Sequence, residues 1–263
     1  MGCWGEGAGM KERQILFAAP MIRSIRAGRK TQTRRTVKPQ RHPYGNILSP
    51  EQVADEFIGQ TEAVRCPYGQ PGDRLFVKET FFAYGRWETR FSEKKCRDEW
   101  HFIDMTEESG FAYRYAADEK ERSTTKERSS VIPGWYKRPA IFMPRRACRI
   151  FLDVTAVRVE RLKDISPADA SAEGIIQQNT TKWFSVPGIS GAGTTARAAY
   201  ALLWNSINGP GSWDANQLVW VVEFKIVSTA SYNAHAVESR RKVGHCPQIA
   251  GMTIHVETES CNA

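Results

Sequence analysis

We predict the fold and the function from one stretch of nine residues, Ala27-Gly28-Arg29-Lys30-Thr31-Gln32-Thr33-Arg34-Arg35. Four cations and two threonines fall within its last seven residues, and none of these seven side chains is apolar. We predict a strand from Lys30 to Val37. Side chains alternate between the two faces of a strand. One face therefore carries Lys30, Gln32 and Arg34, and the other carries Thr31, Thr33 and Arg35.

The residues before this stretch predict a short helix. Pro20 suits a first helical turn, Met21, Ile22 and Ile25 share one face, and Gly28 is suited to the C-terminal cap. Two cationic faces of the following strand cannot both be buried without acidic partners. One face is therefore expected to line a cleft for phosphate, carboxylate or a polarised carbonyl. The alternative is a solvated basic edge strand that discourages aggregation.

Composition narrows the classes of function. The 263 residues are 41% hydrophobic, which is enough for a substantial core, and the net charge is +8. A basic chain favours nucleic acid or another phosphate-bearing ligand, although a modest basic excess is also common in soluble proteins. The six cysteines form no Cys-x-x-Cys pair and the five histidines lie far apart, so we expect no metal and no cofactor. Without an apolar signal region or membrane span, we expect a cytoplasmic protein.

The pattern of elements predicts one domain over residues 13–227, between a flexible leader at 1–12 and a disordered tail at 228–263. Loop insertions are expected at about 38–71 and 85–130, the first with a short helix at Pro50–Phe57 and the second largely mobile. Other predicted elements are strands at Arg74–Phe81, Cys148–Leu162 (bent or bulged near Asp153–Ala156) and Leu218–Val227, and helices at Pro167–Glu173 and Thr195–Ile207. Long crossover helices do not separate the strands. We therefore predict an α+β fold, a small mixed β-barrel of five to six strands with short helices at its rims.

Two further features are candidates for function. The segment Trp135–Arg149 interleaves aromatic residues with five cations, including Arg145 and Arg146, and contains no acid. Aromatic stacking combined with cations suits single-stranded or flipped bases, whereas the alternative is core aromatics with solvated arginines. Glu173 ends a predicted helix, where an acid opposes the helix dipole. It is either functional or a plain surface glutamate.

Several motifs together resemble the ASCH domain of the PUA-like superfamily. They are Gly28-Arg29-Lys30-Thr31-x-Thr33, Gly72-Asp73 before a strand, Val159-Glu160-Arg161-Leu162 running into Ile165–Gly174, and the closing strand Val219–Phe224. Residues 13–227 are most similar to ASCH-type proteins encoded by tailed bacteriophages and prophages. That closer likeness is carried by Cys66–Asp73, Met143-Pro144-Arg145 and Asn208–Trp213.

The resemblance implies a PUA-type β-barrel that binds RNA or a modified nucleobase in a basic cleft around Lys30, in the cytoplasm of a bacterial host. The implied nucleic-acid-binding residues are Arg29, Lys30, Arg34, Arg35, Trp135, Arg145 and Arg146. One branch of the family is an amidohydrolase on N4-acetylcytidine, and its catalytic set matches Lys30, Thr33 and Glu173 here. A further alternative is a phage morphogenesis or assembly factor. No metal, cofactor or membrane is implied.

Overall fold

The computed structural model describes residues 10–60, 64–118, 132–178, 182–189 and 191–227. The strands are β1 (Glu12–Leu16), β2 (Gln32–Thr36), β3 (Gln40–Arg41), β4 (Ile47–Leu48), β5 (Arg74–Lys78), β6 (Phe81–Ser92), β7 (Arg97–Asp104), β8 (Arg114–Tyr115), β9 (Gly134–Arg138), β10 (Phe151–Arg161), β11 (Ile176–Gln177), β12 (Phe184–Ser185) and β13 (Leu218–Ile226). The helices are α1 (Ala19–Arg26), α2 (Pro50–Ile58), α3 (Pro167–Ala172) and α4 (Ala196–Asn208). The predicted tail at 228–263 and residues 1–9 of the predicted leader lie outside the described residues, whereas Glu12 already belongs to β1.

A five-stranded sheet in the order β1-β5-β10-β13-β2 organises the fold. β1 and β5 pair in parallel, and the other neighbours are antiparallel. The ladder between β10 and β13 runs from Leu152 opposite Ile226 to Arg161 opposite Leu218. Its register shifts between Val154 and Ala156, which confirms the predicted bulge. The β-branched content of both strands suits this long pairing.

The fold is mixed α+β, as predicted, but the strand pairings among the described residues do not close into a barrel. β1 and β2 are the two edges of the sheet. A side chain spans the gap between them, because the guanidinium of Arg35 in β2 donates a hydrogen bond to the carbonyl of Leu16 in β1 at 2.8 Å. The same guanidinium lies 5.3 Å from the ring centre of Phe17. We call this gap between β1 and β2 the seam.

The hydrophobic core lies on both faces of the sheet. Four consecutive residues of β13, from Val219 to Val222, are buried, so both faces of this strand are covered. On one face Trp220 packs edge-on against Phe57 of α2, with ring centres 4.8 Å apart. A strand that is covered on both faces requires an apolar side chain at each of these residues. The sequence meets this requirement, because residues 218–222 form an uninterrupted apolar run.

The end of α3 fixes the position of Glu173. Ser166 and Asp169 form a reciprocal capping box at the start of this helix, as their spacing predicts. The helix ends at Ala172, Glu173 is its C-terminal cap, and Gly174 adopts a positive φ of 98°. A Cβ on Gly174 would lie 3.3 Å from the Cβ of Ser24 in α1. This close approach brings the ends of α1 and α3 together.

The prediction of a largely mobile segment over 85–130 is wrong for the part of it that the structure describes. β6 and β7 form a hairpin over residues 85–104, and β8 and β9 pair with β6 to complete a second sheet. Aromatic rings hold this sheet together where aliphatic residues are scarce. Trp87 and Phe102 are opposite each other with ring centres 5.4 Å apart, and both lie against Tyr136. Cross-strand aromatic pairs compensate for the low aliphatic content on which the prediction relied.

We predict that Gly174→Ala lowers the free energy of unfolding by about 2 kcal/mol, because it adds backbone strain at positive φ to a crowded contact with Ser24. Gly45→Ala is the matched control, since Gly45 also has a φ of 98° but nothing lies within 4 Å of its Cβ position. Gly45→Ala should lower the free energy of unfolding by about 1 kcal/mol, from backbone strain alone. Urea denaturation measures both variants. Equal losses would contradict the proposed close packing of α1 against α3.

Candidate functional site

Main-chain hydrogen bonds bring Lys30 and Glu173 together at the seam. The two residues form an isolated antiparallel bridge, and the amide of Thr31 donates to the carbonyl of Ala172 at 2.9 Å. The amides of Arg29 and Lys30 both donate to the carbonyl of Ser24 at the end of α1. The start of β2 is therefore tied to the ends of both α1 and α3 before any side chain is considered.

The Lys30 ammonium uses all three of its donors within the protein. Its Nζ lies 2.5 Å from Glu173 Oε2, 3.1 Å from the Glu173 carbonyl oxygen and 2.9 Å from the Gln32 carbonyl oxygen. The residue is only 3% exposed. An ammonium offers exactly three protons. As arranged, Lys30 contributes a fixed positive charge and has no spare donor for a ligand.

The Glu173 carboxylate divides its two oxygens between partners. Oε2 accepts from Lys30, while Oε1 lies 3.4 Å from Arg34 Nη1 and 3.4 Å from the Tyr200 hydroxyl of α4. Glu173 is 3% exposed. A buried carboxylate with this many donors is held in one orientation, which suits a residue that positions other groups.

Arg34 extends the pair into a charge network. Its guanidinium is completely buried. The Arg34 Nε donates to Glu160 Oε1 of β10 at 3.0 Å, and Arg34 Nη2 lies 3.5 Å from Asp169 Oδ2 of α3. Arg158 pairs in turn with Glu160 and Asp169, each at 3.1 Å. The face of β2 that carries Lys30 and Arg34 is therefore buried against acidic partners, which meets the physical condition derived from the sequence.

A small cavity of about 70 Å³ opens beside this network. Its volume equals the share that about two water molecules occupy in the liquid. The lining consists of Phe17, Met21, Lys30, Thr33, Arg34, Arg35, Thr36, Glu173, Tyr200, Leu203, Trp204, Ile207 and Asn208. Charged groups thus occupy one side of the cavity, and aromatic and aliphatic side chains occupy the other. We call it the seam pocket.

Burial shifts two pKa values at the seam pocket. Desolvation lowers the pKa of Lys30 below that of a free lysine, and the charges of Arg35 and Arg34 act in the same direction, while Glu173 opposes the shift. Burial raises the pKa of the Tyr200 phenol, and the negative charge of Glu173 adds to that effect. The tyrosine therefore remains protonated and donates its hydrogen bond.

The three residues matched to the amidohydrolase set meet at the seam pocket, since Lys30, Thr33 and Glu173 all line it. Within the described part of the chain, the Thr33 hydroxyl has no hydrogen-bond partner, although the residue is 98% buried (2% exposed). Arg35 also lines the pocket, at its seam side. Arg29 is exposed and does not line it.

Trp135 lies away from the seam pocket, in the second sheet. On β9 it packs against Tyr84 and Phe111, with ring centres 5.8 and 5.6 Å away. The guanidinium of Arg114 lies 3.9 Å from the centre of its ring. Trp135 therefore has packing partners on the second sheet and is not part of the lining of the seam pocket.

Arg145 and Arg146 are also separate from the seam pocket. Arg145 makes a forked contact with Glu12, with Nε at 3.0 Å and Nη2 at 2.9 Å from the same carboxylate oxygen. Arg146 contacts the Tyr113 hydroxyl at 2.9 Å and Asp104 at 3.1 Å. The sequence shows no acid near these arginines, but the fold brings acids to both from distant segments.

Sequence reasoning missed three residues of the site. Tyr200 lies on the apolar face of α4, where its spacing resembles that of a core residue. Phe17 follows β1, and Glu160 alternates with valines in β10, so neither has a distinctive local pattern. A pairing argument would have pointed to acids, because a buried Lys30 and Arg34 require them.

In comparisons with protein-family models, curated proteins and solved structures, nothing matches the chain. Among the described residues, no helix is long and apolar enough to cross a membrane. The same residues contain no group of three or more histidine, cysteine or acidic side chains arranged to hold a metal ion.

We predict that Lys30 contributes more favourably to the free energy of unfolding as the pH rises through the range below the ordinary lysine pKa of about 10.4. Because its pKa is lowered on folding, the unfolded chain binds more protons at this residue, so unfolding becomes harder with increasing pH, by at most about 1.4 kcal/mol per pH unit. The measurement is urea denaturation of the wild type and Lys30→Met across this range. Their difference cancels the shared effects of other groups. If the difference in free energy of unfolding stays constant, or changes in favour of Lys30→Met as the pH rises, the burial argument is contradicted.

Proposed function

We propose that the chain is a PUA-like, ASCH-type protein of the kind encoded by tailed phages and prophages, and that it binds RNA or a modified nucleobase at the seam pocket. One observation carries the proposal: Glu173, which is distant in sequence, joins Lys30 and Thr33 in the lining of a single small cavity. The other walls of this cavity include the rings of Phe17 and Trp204. Nucleobases are recognised by this combination of polar groups at their edges and aromatic rings at their faces.

The PUA-like barrel belongs to the same proposal. The five-stranded sheet has its edges at β1 and β2, and Arg35 reaches from one edge to the carbonyl of Leu16 on the other. A sheet whose edges approach within one side chain is strongly curved. This curvature supports a barrel that is open along the seam, with the pocket at the opening.

The size of the pocket limits how a base can enter it. Room for about two waters suits the exocyclic group or the polar edge of a base, while the sugar and phosphate remain outside. The Thr33 hydroxyl is the available polar partner, since it can both donate and accept a hydrogen bond. Lys30 acts through its fixed charge. Arg29, which is exposed, and Arg35, at the seam, supply cations for a neighbouring phosphate.

We predict that Arg29→Gln weakens the binding of single-stranded RNA and makes it less dependent on salt. The loss of one phosphate contact should reduce the log–log salt slope by about 0.7. Fluorescence anisotropy with a labelled oligonucleotide at several salt concentrations measures both effects. Arg29 is the chain neighbour of Lys30, which lines the seam pocket. Arg41→Gln is the matched control, because Arg41 is also an exposed arginine but lies on β3, where neither it nor its chain neighbours line the pocket. Equal effects of the two substitutions would indicate general attraction to the basic chain and would contradict a specific site.

An amidohydrolase that removes the acyl group of N4-acetylcytidine is the second candidate, favoured by the position of Thr33 beside Lys30 and Glu173. In this reaction the Thr33 oxygen attacks the amide carbonyl, and its proton passes to Lys30 and then to the departing amine. Water later hydrolyses the threonine ester. Burial favours the neutral lysine that this step requires. However, all three donors of Lys30 are engaged, so the lysine must release one contact before it can accept a proton.

We predict that, if the protein is this enzyme, it converts N4-acetylcytidine to cytidine and Thr33→Val abolishes turnover. Thr33→Ser is the matched control, since it keeps the hydroxyl and should retain measurable activity. Lys30→Met should also be inactive. Chromatography of nucleosides after incubation at high enzyme concentration provides the measurement. Absence of product with the folded wild type, or full activity of Thr33→Val, would exclude this mechanism.

No contact among the described residues favours an assembly role in the virion. The binding and enzymatic proposals share one pocket and differ only in whether Lys30 leaves its resting contacts.

A further inference from the structure

A second cavity lies at the opposite end of β1 from the seam pocket. Its volume is about 150 Å³, twice that of the seam pocket. The lining consists of Lys11, Arg13, Phe57, Val64, Arg65, Cys66, Gly69, Gln70, Pro71, Asp73 and Val157. The five residues of β1 lie between Lys11 and Phe17 of the seam pocket, and six steps of extended chain correspond to about 20 Å. The two cavities are therefore separate sites.

Positive charge is in excess around this cavity. Three cations, Lys11, Arg13 and Arg65, line it together with a single acid, Asp73. Among the described residues, the Lys11 ammonium and the Arg65 guanidinium form no ion pair. The Asp73 carboxylate is buried and already engaged, because it accepts hydrogen bonds from the amides of Lys11 and Gln70, each at 3.1 Å.

Arg13 differs from the two exposed cations, Lys11 and Arg65, because one of its donors is buried. Its Nε is buried and lacks a hydrogen-bond partner within the described ranges. The nearest acidic oxygen, Asp73 Oδ2, lies 3.8 Å from Nε, and the Pro67 carbonyl lies 3.5 Å from Nη1. Both distances exceed those of a good charge-assisted hydrogen bond. The Arg13 side chain as a whole is 34% exposed, so only its Nε is cut off from water. A buried donor without a partner is costly, so its retention points to a partner that comes from outside the chain.

From this arrangement we infer that the cavity is a binding site for a small oxyanion, with a phosphoryl group as the expected form. A guanidinium presents forked donors that match phosphate geometry, and two further cations supply long-range attraction. Phe57, Val64 and Val157 form an apolar wall. Exclusion of water by such a wall strengthens the attraction between the anion and the cations. The volume is sufficient for one phosphate group, but the cavity is too small to enclose a whole nucleotide.

Isothermal titration of the full chain with inorganic phosphate, in a phosphate-free buffer of low ionic strength, tests this inference. We expect saturable binding that weakens about tenfold in Arg13→Gln and by a similar factor in Arg65→Gln. Arg65 is exposed, so its substitution tests the site even if Arg13→Gln fails to fold. Arg41→Gln is the matched control and should bind phosphate as the wild type does.

A parallel titration with acetate distinguishes the two sources of an oxyanion. Tighter binding of phosphate assigns the site to a phosphoryl group, and tighter binding of acetate assigns it to a carboxylate. The inference is overturned if no binding is detected up to about 10 mM of either anion, or if Arg13→Gln and Arg65→Gln bind like the wild type. Nucleoside binding to Arg65→Gln, measured separately, reports on the seam pocket. The failure of one site is thus distinguishable from the failure of the other.

Discussion

The buried ion pair between Lys30 and Glu173 is the interaction on which the rest of the site depends. Removing two charges from water is expensive, and a single contact at 2.5 Å does not by itself offset that cost. The remaining partners come from β2, β10, α4 and α3 with its C-terminal cap: two carbonyls for Lys30, Arg34 and Tyr200 for Glu173, and Glu160 and Asp169 for Arg34. The positions of α3 and α4 around the seam are consistent with these requirements. A pair surrounded in this way contributes more to a unique arrangement than to net stability.

This charge balance changes what the cationic segment can do. In the sequence it resembles a basic patch that attracts phosphate, but in the structure its two central cations are enclosed and neutralised. They form a preorganised polar wall, which suits recognition of a base edge rather than attraction of a backbone. In our proposals, attraction of phosphate falls to the exposed Arg29, to Arg35 and, at the other end of β1, to Arg13 and its neighbours. Positioning and attraction are thus divided among different residues of the same basic region.

The elements that could be predicted from sequence are those with strong local signals. The spacing of Ser166 and Asp169 predicts the start of α3, and Gly174 predicts its end. The irregular alternation near Asp153 predicts the bulge in β10. The hairpin of β6 and β7 was missed because its stability comes from pairs such as Trp87 with Phe102, which only the register reveals. For the site, Lys30, Thr33 and Glu173 could be named from motifs, but the engagement of Lys30 on all three donors could not. That property depends on carbonyl positions set by the tertiary fold, and it bears directly on the choice between binding and catalysis.

We propose that Lys30 is a charged, fully engaged lysine in the wall of a nucleobase pocket. Nitrogen-15 NMR of the lysine side chains, with Lys30 assigned by its loss in Lys30→Arg, tests this proposal. We expect a sharp, slowly exchanging ammonium signal for Lys30 near neutral pH that shifts when cytidine or N4-acetylcytidine is added and is unchanged by inorganic phosphate. A rapidly exchanging signal, or one that remains fixed while the nucleoside binds, would contradict it.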